Sequence, residues 1–151
     1  MNSPKIITSL GIDEIFVFGS NESGRHGKGT AKQAMQWGAV YGKGVGLAGK
    51  TYAIPTRKFV KGKVPTIGTP YYNATYNTSL VTLSLSEIWA HINNFIAFAS
   101  VNPKLKFLLT PIACANAGYT PEQIAPMFKP AKDIENILLP ESFTNIIKEL
   151  V

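Results

Sequence analysis

The sequence predicts an α/β domain with a largely parallel or mixed sheet, on three observations. Short apolar runs rich in β-branched and aromatic residues recur along the chain, segments of helical periodicity fall between them, and loops rich in glycine and proline separate the two kinds. With 151 residues, 45% of them apolar and 16% charged, the chain can build one core but not two ordinary domains. A single domain over residues 1–151 is expected.

The elements follow in order. Residues 12–19 contain Ile15-Phe-Val-Phe18 bounded by Gly19, too short for a helix and rich in β-formers, which reads as a buried central strand. Residues 30–37 read as the first helix, and residues 38–49, with five glycines, as a loop. Thr51-Tyr-Ala-Ile54 is a short strand ended by Pro55. Residues 57–76 turn to Lys, Pro, Gly, Tyr, Asn and Thr without periodicity, and a basic, exposed loop or hairpin insertion is expected at about 57–80. Ser86 is the candidate N-cap, with Glu87 in the first turn, of a helix over 88–99 whose Ile88, Ile92, Phe95, Ile96 and Ala99 share one face; Asn102-Pro103 ends it. Residues 106–110 form a strand that runs into the loop 111–119. Thr120-Pro121 then starts a helix through 124–128, with Thr as N-cap and Pro in the first turn. Residues 136–139 make a last strand and 140–151 a last helix. In such sheets ligands collect at the carboxyl ends of strands, which here are rich in loop residues at 19–29 and 111–119. These two loops are expected to wall one cleft.

Composition narrows the function classes. No apolar run approaches 18 residues and the N-terminus leads into no long apolar region, so neither a membrane span nor a secretion signal is visible, and a cytoplasmic protein is expected. Cys114, the one cysteine, cannot form an internal disulfide, and no Cys/His set has metal-ligand spacing; neither a metal nor a cofactor is expected. The net charge of +6 is uneven: residues 23–86 carry nine cations (Arg25, Lys28, Lys32, Lys43, Lys50, Arg57, Lys58, Lys61, Lys63) and no acid. That is either a solvated basic surface or attraction for a polyanion or a phosphorylated ligand.

The stretch Phe16-Val-Phe-Gly-Ser-Asn21 through Ala31 reads as strand, loop, helix, a geometry in which loop and helix N–H groups converge on an anion. It is not a P-loop, because Arg25-His26 stands where Lys-Ser/Thr belongs and Gly29 separates Lys28 from Thr30. Gly44-Val-Gly-Leu-Ala-Gly49 matches G-x-G-x-x-G but runs into a strand, which removes the dinucleotide fingerprint. Gly-x-Ser-x-Gly is absent, so Ser20 and Ser23 have no nucleophile-elbow context.

Together, Phe16-Val-Phe-Gly-Ser-Asn21, Gly24-Arg-His-Gly-Lys-Gly-Thr-Ala31, Gly38-Ala-Val-Tyr-Gly42, Gly46-Leu-Ala-Gly-Lys-Thr-Tyr-Ala-Ile-Pro55 and Cys114-Ala-Asn-Ala-Gly-Tyr119 with Glu122-Gln-Ile-Ala-Pro-Met-Phe128 resemble a bacterial and bacteriophage family of small macrodomain-like proteins, over roughly residues 12–140. The resemblance implies a three-layer α/β/α fold with a central mixed, largely parallel sheet. It also implies a ligand of ADP-ribose type and, in some members of the wider class, hydrolysis of ADP-ribosyl groups or of ADP-ribose-1''-phosphate. On that reading Gly19, Ser20 and Asn21 close the first strand, with Asn21 toward the distal ribose. Gly24, Arg25, Gly27, Lys28, Gly29 and Thr30 form the first phosphate loop, and Cys114, Ala115, Asn116, Ala117, Gly118 and Tyr119 the second, diphosphate-cradling one. The class's adenine-holding aspartate has Asp13 as its early candidate here, and Ala113, Ala115 and Ala117 stand where the class tends to carry Ser and Gly.

Several side chains admit two readings. His26 is a phosphate ligand or general acid, or else an exposed loop histidine; Glu22 is the one carboxylate beside Asn21. Arg25 and Lys28 pair with phosphate or are solvated. Cys114 is a nucleophile with His26 as base, or a small packed residue. Tyr119 stacks on the ligand or packs on the sheet, His91 is a boundary residue, and Trp37 and Trp89 are expected in the core. Two functions follow: an enzyme on ADP-ribose derivatives using Asn21, His26 and Glu22, or a non-catalytic module binding nucleotide or, through the basic 25–63 segment, nucleic acid. Neither involves a membrane, and nothing in the sequence sets an oligomeric state.

Overall fold

The computed structural model describes residues 1–150, which form a mixed α/β structure around a seven-stranded sheet. In chain order the elements are β1 (Glu14–Asn21), α1 (Gly29–Ala34), β2 (Gly46–Ala48), β3 (Thr51–Lys61), β4 (Tyr72–Asn73), β5 (Thr78–Thr82), α2 (Leu85–Ser100), β6 (Lys106–Leu109), α3 (Pro121–Ile124), β7 (Ile137–Leu138) and α4 (Glu141–Lys148). The strand order is β4-β5-β3-β1-β6-β7, with β2 paired to β3. β1 is parallel to β3 and β6, and β6 to β7; β2, β4 and β5 pair antiparallel.

Alternation along the central strands splits the core into two clusters, because successive side chains leave a strand on opposite faces. Ile15 and Val17 of β1, Tyr52 and Ile54 of β3, and Phe107 and Leu109 of β6 join Ile88, Ile92, Phe95 and Ala99 of α2 and Phe143 and Ile147 of α4 on one face. Phe16 and Phe18, with Ala53, Leu108 and Leu138, face the other way onto Ile7, Ala34 and Ala39. The expected stripe on α2 is the buried one, with Ile96 half-buried at its margin.

Several boundaries differ from the sequence expectation, each for a physical reason. α2 is capped by Ser84 and not Ser86: the Ser84 hydroxyl accepts from the Glu87 N–H at 3.2 Å and the Glu87 carboxylate accepts from the Ser84 N–H at 3.0 Å. β1 runs two residues past Gly19 to Asn21. β3 passes through Pro55, because the register with β1 slips there: Ser20 pairs with Pro55 and Asn21 with Arg57, so a proline stands where the ladder is already interrupted. Of the loop and hairpin alternatives for residues 57–76, the hairpin is found: β3 continues to Lys61 and pairs with β5, and β4 adds the outer strand. The glycine-rich segment 38–49 contains β2. The helix expected over 124–128 is α3 followed by a 3-10 stretch, Ala125–Ala131, since Pro126 and Pro130 cannot donate α-helical bonds. α4 ends at Lys148. Trp89 is 54% exposed on the outer face of α2, whereas Trp37 is half-buried with its ring 4.9 Å from that of Phe16.

The cap assignment gives a simple prediction. Ser84→Ala lowers stability by about 1 kcal/mol in urea unfolding, and Ser86→Ala by less than about 0.5 kcal/mol; the reverse order would return the cap to Ser86.

Candidate functional site

Because β1 and β6 are parallel neighbours, the loops leaving Asn21 and Leu109 emerge at the same edge of the sheet. The two loops thus start side by side, but they do not wall one cavity together over their lengths: of residues 19–30 and 114–119, only Thr30 lines the cavity described below. Each loop is held by a further segment that closes over it.

The first loop is wedged against residues 42–44. Gly24 lies at φ +69° and a Cβ there would come within 2.3 Å of the Lys43 nitrogen, while a Cβ on Gly44 would meet the Asn21 carbonyl oxygen at 2.1 Å. Gly42 N–H donates to the Gly24 carbonyl at 2.8 Å, and Ser20 Oγ donates to the Gly44 carbonyl. Asn21 spends its amide on the loop itself: Oδ1 accepts from the Arg25 N–H and Nδ2 donates to the Arg25 carbonyl, both at 3.0 Å. His26 is not exposed; it is 1% accessible, with its ring edge-on to Phe18. Its Nε2 lies 3.0 Å from the Lys43 carbonyl, which can only accept, so Nε2 carries the proton and the buried Nδ1 is left without a partner. Glu22, Arg25, Gly27, Lys28, Gly29 and Thr30 are exposed, and Gly19 is half-buried inside β1. The first-turn N–H groups of α1, which like those of any helix lack an intrahelical partner, are not taken up by a side-chain cap at Lys28.

The second loop is clasped by the β3–β4 connection. Gly68 and Gly118, at φ +79° and +96°, approach so closely that a Cβ on Gly118 would fall 2.4 Å from the Gly68 nitrogen. Thr69 N–H donates to the Asn116 carbonyl at 2.8 Å, Thr69 Oγ1 donates to Asn116 Oδ1 at 3.2 Å, and Thr82 Oγ1 donates to the Ala117 carbonyl at 2.6 Å. Ala113 sits in the left-handed region at φ +63°, unusual for a residue with a side chain. The N–H groups of Ala115, Asn116 and Ala117 make no protein hydrogen bond among the described residues. Tyr119 turns inward, its hydroxyl donating to the Leu83 carbonyl at 2.7 Å; burial, with Glu87 adding to it, raises its pKa. The Cys114 thiol is pushed up to about 11 by burial and by the charge of Glu122. A thiol in that environment is a packed group more than a nucleophile.

A cavity of about 610 Å3 opens beside these loops. It is lined by residues 2–7, by Phe16, by Thr30 and Gln33 of α1, by residues 109–111 after β6, and by residues 140–142 with Asn145 at the start of α4. It thus lies outside the carboxyl ends of β6 and β7. Of the sequence-predicted site residues it takes in Thr30; Asn21, His26 and residues 114–119 do not line it. The N-terminal contribution was not foreseen: Ser3 N–H donates to the Leu139 carbonyl at 2.9 Å and Ser3 Oγ to the Leu109 carbonyl at 2.8 Å, long-range contacts with no local sequence signature. Among the described residues no cluster of three His, Cys, Asp or Glu side chains could hold a metal ion, and no helix is long and apolar enough to cross a membrane.

No protein-family model, no curated protein and no solved structure matches this chain.

Two outcomes check the site's construction. Gly24→Ala and Gly118→Ala each lose about 2 kcal/mol or more, from left-handed strain and backbone collision together, while Gly27→Ala, with nothing within 4 Å of its Cβ position, stays within about 0.5 kcal/mol. Alkylation of Cys114 at pH 8 runs at least about tenfold slower than that of an exposed cysteine, because the loss of thiolate outweighs the greater nucleophilicity of the more basic thiolate, and its rate climbs until the pH passes about 11. A rate equal to that of a free cysteine would mean an activated, accessible thiol.

Proposed function

We propose that this protein binds a diphosphate nucleotide of ADP-ribose type at the carboxyl edge of β1, β6 and β7, as a binding module of macrodomain-like fold. The observation that carries the reading is that two loops leave adjacent parallel strands at one edge, beside a cavity of about 610 Å3, within the range of small-molecule sites. The cavity would accept the nucleoside end, and the free N–H groups of Ala115, Asn116 and Ala117, with those of the first turn of α1, would face the diphosphate. Diphosphates favour such donors because each N–H supplies a charge-assisted bond without a counter-ion of its own.

Binding is favoured over turnover by what the candidate catalytic groups already do. Asn21 has both amide atoms engaged, His26 is enclosed with its protonated nitrogen on Lys43, and Cys114 has a raised pKa. Glu22 is exposed without a proton-transfer partner. One observation favours the nucleic-acid reading: Tyr71, Tyr72 and Tyr76 are exposed on the hairpin beside Lys63, whose Nζ lies 5.7 Å from the Tyr72 ring centre, a combination suited to stacking on single strands.

Titration calorimetry with ADP-ribose, ADP, ATP and a short single-stranded oligonucleotide, alongside a phosphate-release assay on ADP-ribose-1''-phosphate, separates these. ADP-ribose is expected to bind, without release of phosphate from ADP-ribose-1''-phosphate, and Thr30→Trp, which fills the cavity mouth, weakens binding at least about tenfold. Absence of ADP-ribose binding together with steeply salt-dependent oligonucleotide binding would replace the reading with the nucleic-acid one.

A further inference from the structure

Arg57 is a buried cation without a counter-ion. Its side chain is 8% exposed, yet no carboxylate among the described residues comes within 4 Å of it; the ion pair found there is Lys58–Glu87, at 3.5 Å. Its Nη2 donates to the Thr69 and Leu80 carbonyls, at 2.5 and 3.1 Å, and its buried Nε–H has no partner. Arginine does not neutralise itself in the ordinary pH range, so two carbonyl dipoles are left to offset a desolvated full charge. Burial lowers its pKa, the direction expected of a cation short of negative neighbours. Glu22, whose N–H donates to the Arg57 carbonyl at 2.9 Å, is close enough in backbone to have supplied a carboxylate and does not.

The surroundings belong to both loops and bring in one further cation. Arg25 of the first loop lies with its guanidinium carbon 4.5 Å from the ring centre of Phe59, and Phe59 is two residues beyond Arg57 on β3, hence on the same face. Thr69, which accepts from Arg57, is tied to Asn116 of the second loop. Arg57 therefore sits where the first loop, the hairpin and the second loop meet, inside the acid-free stretch of residues 23–86.

We propose that Arg57 is the base of an anion subsite that, with Arg25, takes a phosphoryl group of the ligand. The unused Nη1 and Nε donors supply the charge-assisted bonds, and the phosphate supplies the counter-charge that the fold withholds. The assignment to a diphosphate rests on the reading given under Proposed function; the subsite itself requires only a phosphoryl group.

The test is calorimetry of the whole chain with inorganic pyrophosphate and, separately, ADP-ribose, on the wild type, Arg57→Met and Arg25→Met, with circular dichroism to verify folding. Pyrophosphate is expected to bind the wild type and raise its melting temperature, with affinity falling at least about tenfold in Arg57→Met and about three- to tenfold in Arg25→Met. Arg25 is an exposed loop side chain, so that variant serves even where Arg57→Met fails to fold. Pyrophosphate binding that depends on the arginines without any ADP-ribose binding upholds the subsite and removes the ADP-ribose reading. ADP-ribose binding that both variants leave unchanged does the opposite, and a wild type that binds neither ligand overturns both.

Discussion

The parallel pairing of β1 between β3 and β6 is the constraint on which the rest of the structure depends. β1 is buried on both faces, with Phe16, Val17 and Phe18 fully enclosed, and parallel partners on each side point the carboxyl ends of three strands in one direction. Burial of apolar area at about 25 cal/mol per Å2 holds those strands together. The loops at their ends inherit that rigidity at their roots and little of it at their tips. Everything distinctive about the protein is an answer to the question of what holds the tips.

The answer is backbone against backbone. Gly24 and Gly44 bring the first loop onto residues 42–44, and Gly68 and Gly118 bring the second onto the hairpin connection, at separations where any Cβ would collide. Such contacts contribute little apolar burial, but they fix where N–H and C=O groups are directed, which side-chain packing across a wider gap would not do. His26 completes the first clasp from inside, and Tyr119 anchors the second to Leu83. Residues that a functional reading of sequence nominates for chemistry are used here to build the walls. The cost of that arrangement surfaces as unsatisfied groups, His26 Nδ1 and Arg57 Nε.

What the sequence made legible, and what it did not, follows the range of the interaction. β1, α2 and β6 were visible because their own apolar runs or 3.6-residue period determine their burial, and the stripe Ile88, Ile92, Phe95, Ala99 is buried as expected. The hairpin was only half visible, because Thr78-Ser-Leu-Val-Thr82 alternates weakly and becomes a strand through its register with residues 57–61. Ser84 and Ser86 are equivalent caps on paper, and only the reciprocal bond with Glu87 separates them. His26 among glycines looks exposed; it is enclosed by tertiary partners, its ring against Phe18 and its Nε2 on the carbonyl of Lys43, 17 residues on. The cavity was missed for the same reason, since its N-terminal wall is placed by contacts of Ser3 with Leu109 and Leu139. The acid-free run of residues 23–86 was the one local signal for Arg57, and it pointed to a charge without saying which cation is buried.

The central claim is that the ligand sits at the edge where the loops after β1 and β6 meet, and amide-resolved NMR titration with ADP-ribose tests it most directly. The account predicts saturable shifts of the Ala115, Asn116 and Ala117 amides and of those at the start of α1, with β4 and the exposed face of α2 unmoved. Shifts confined to the hairpin tyrosines, or none at saturating ligand, would contradict it.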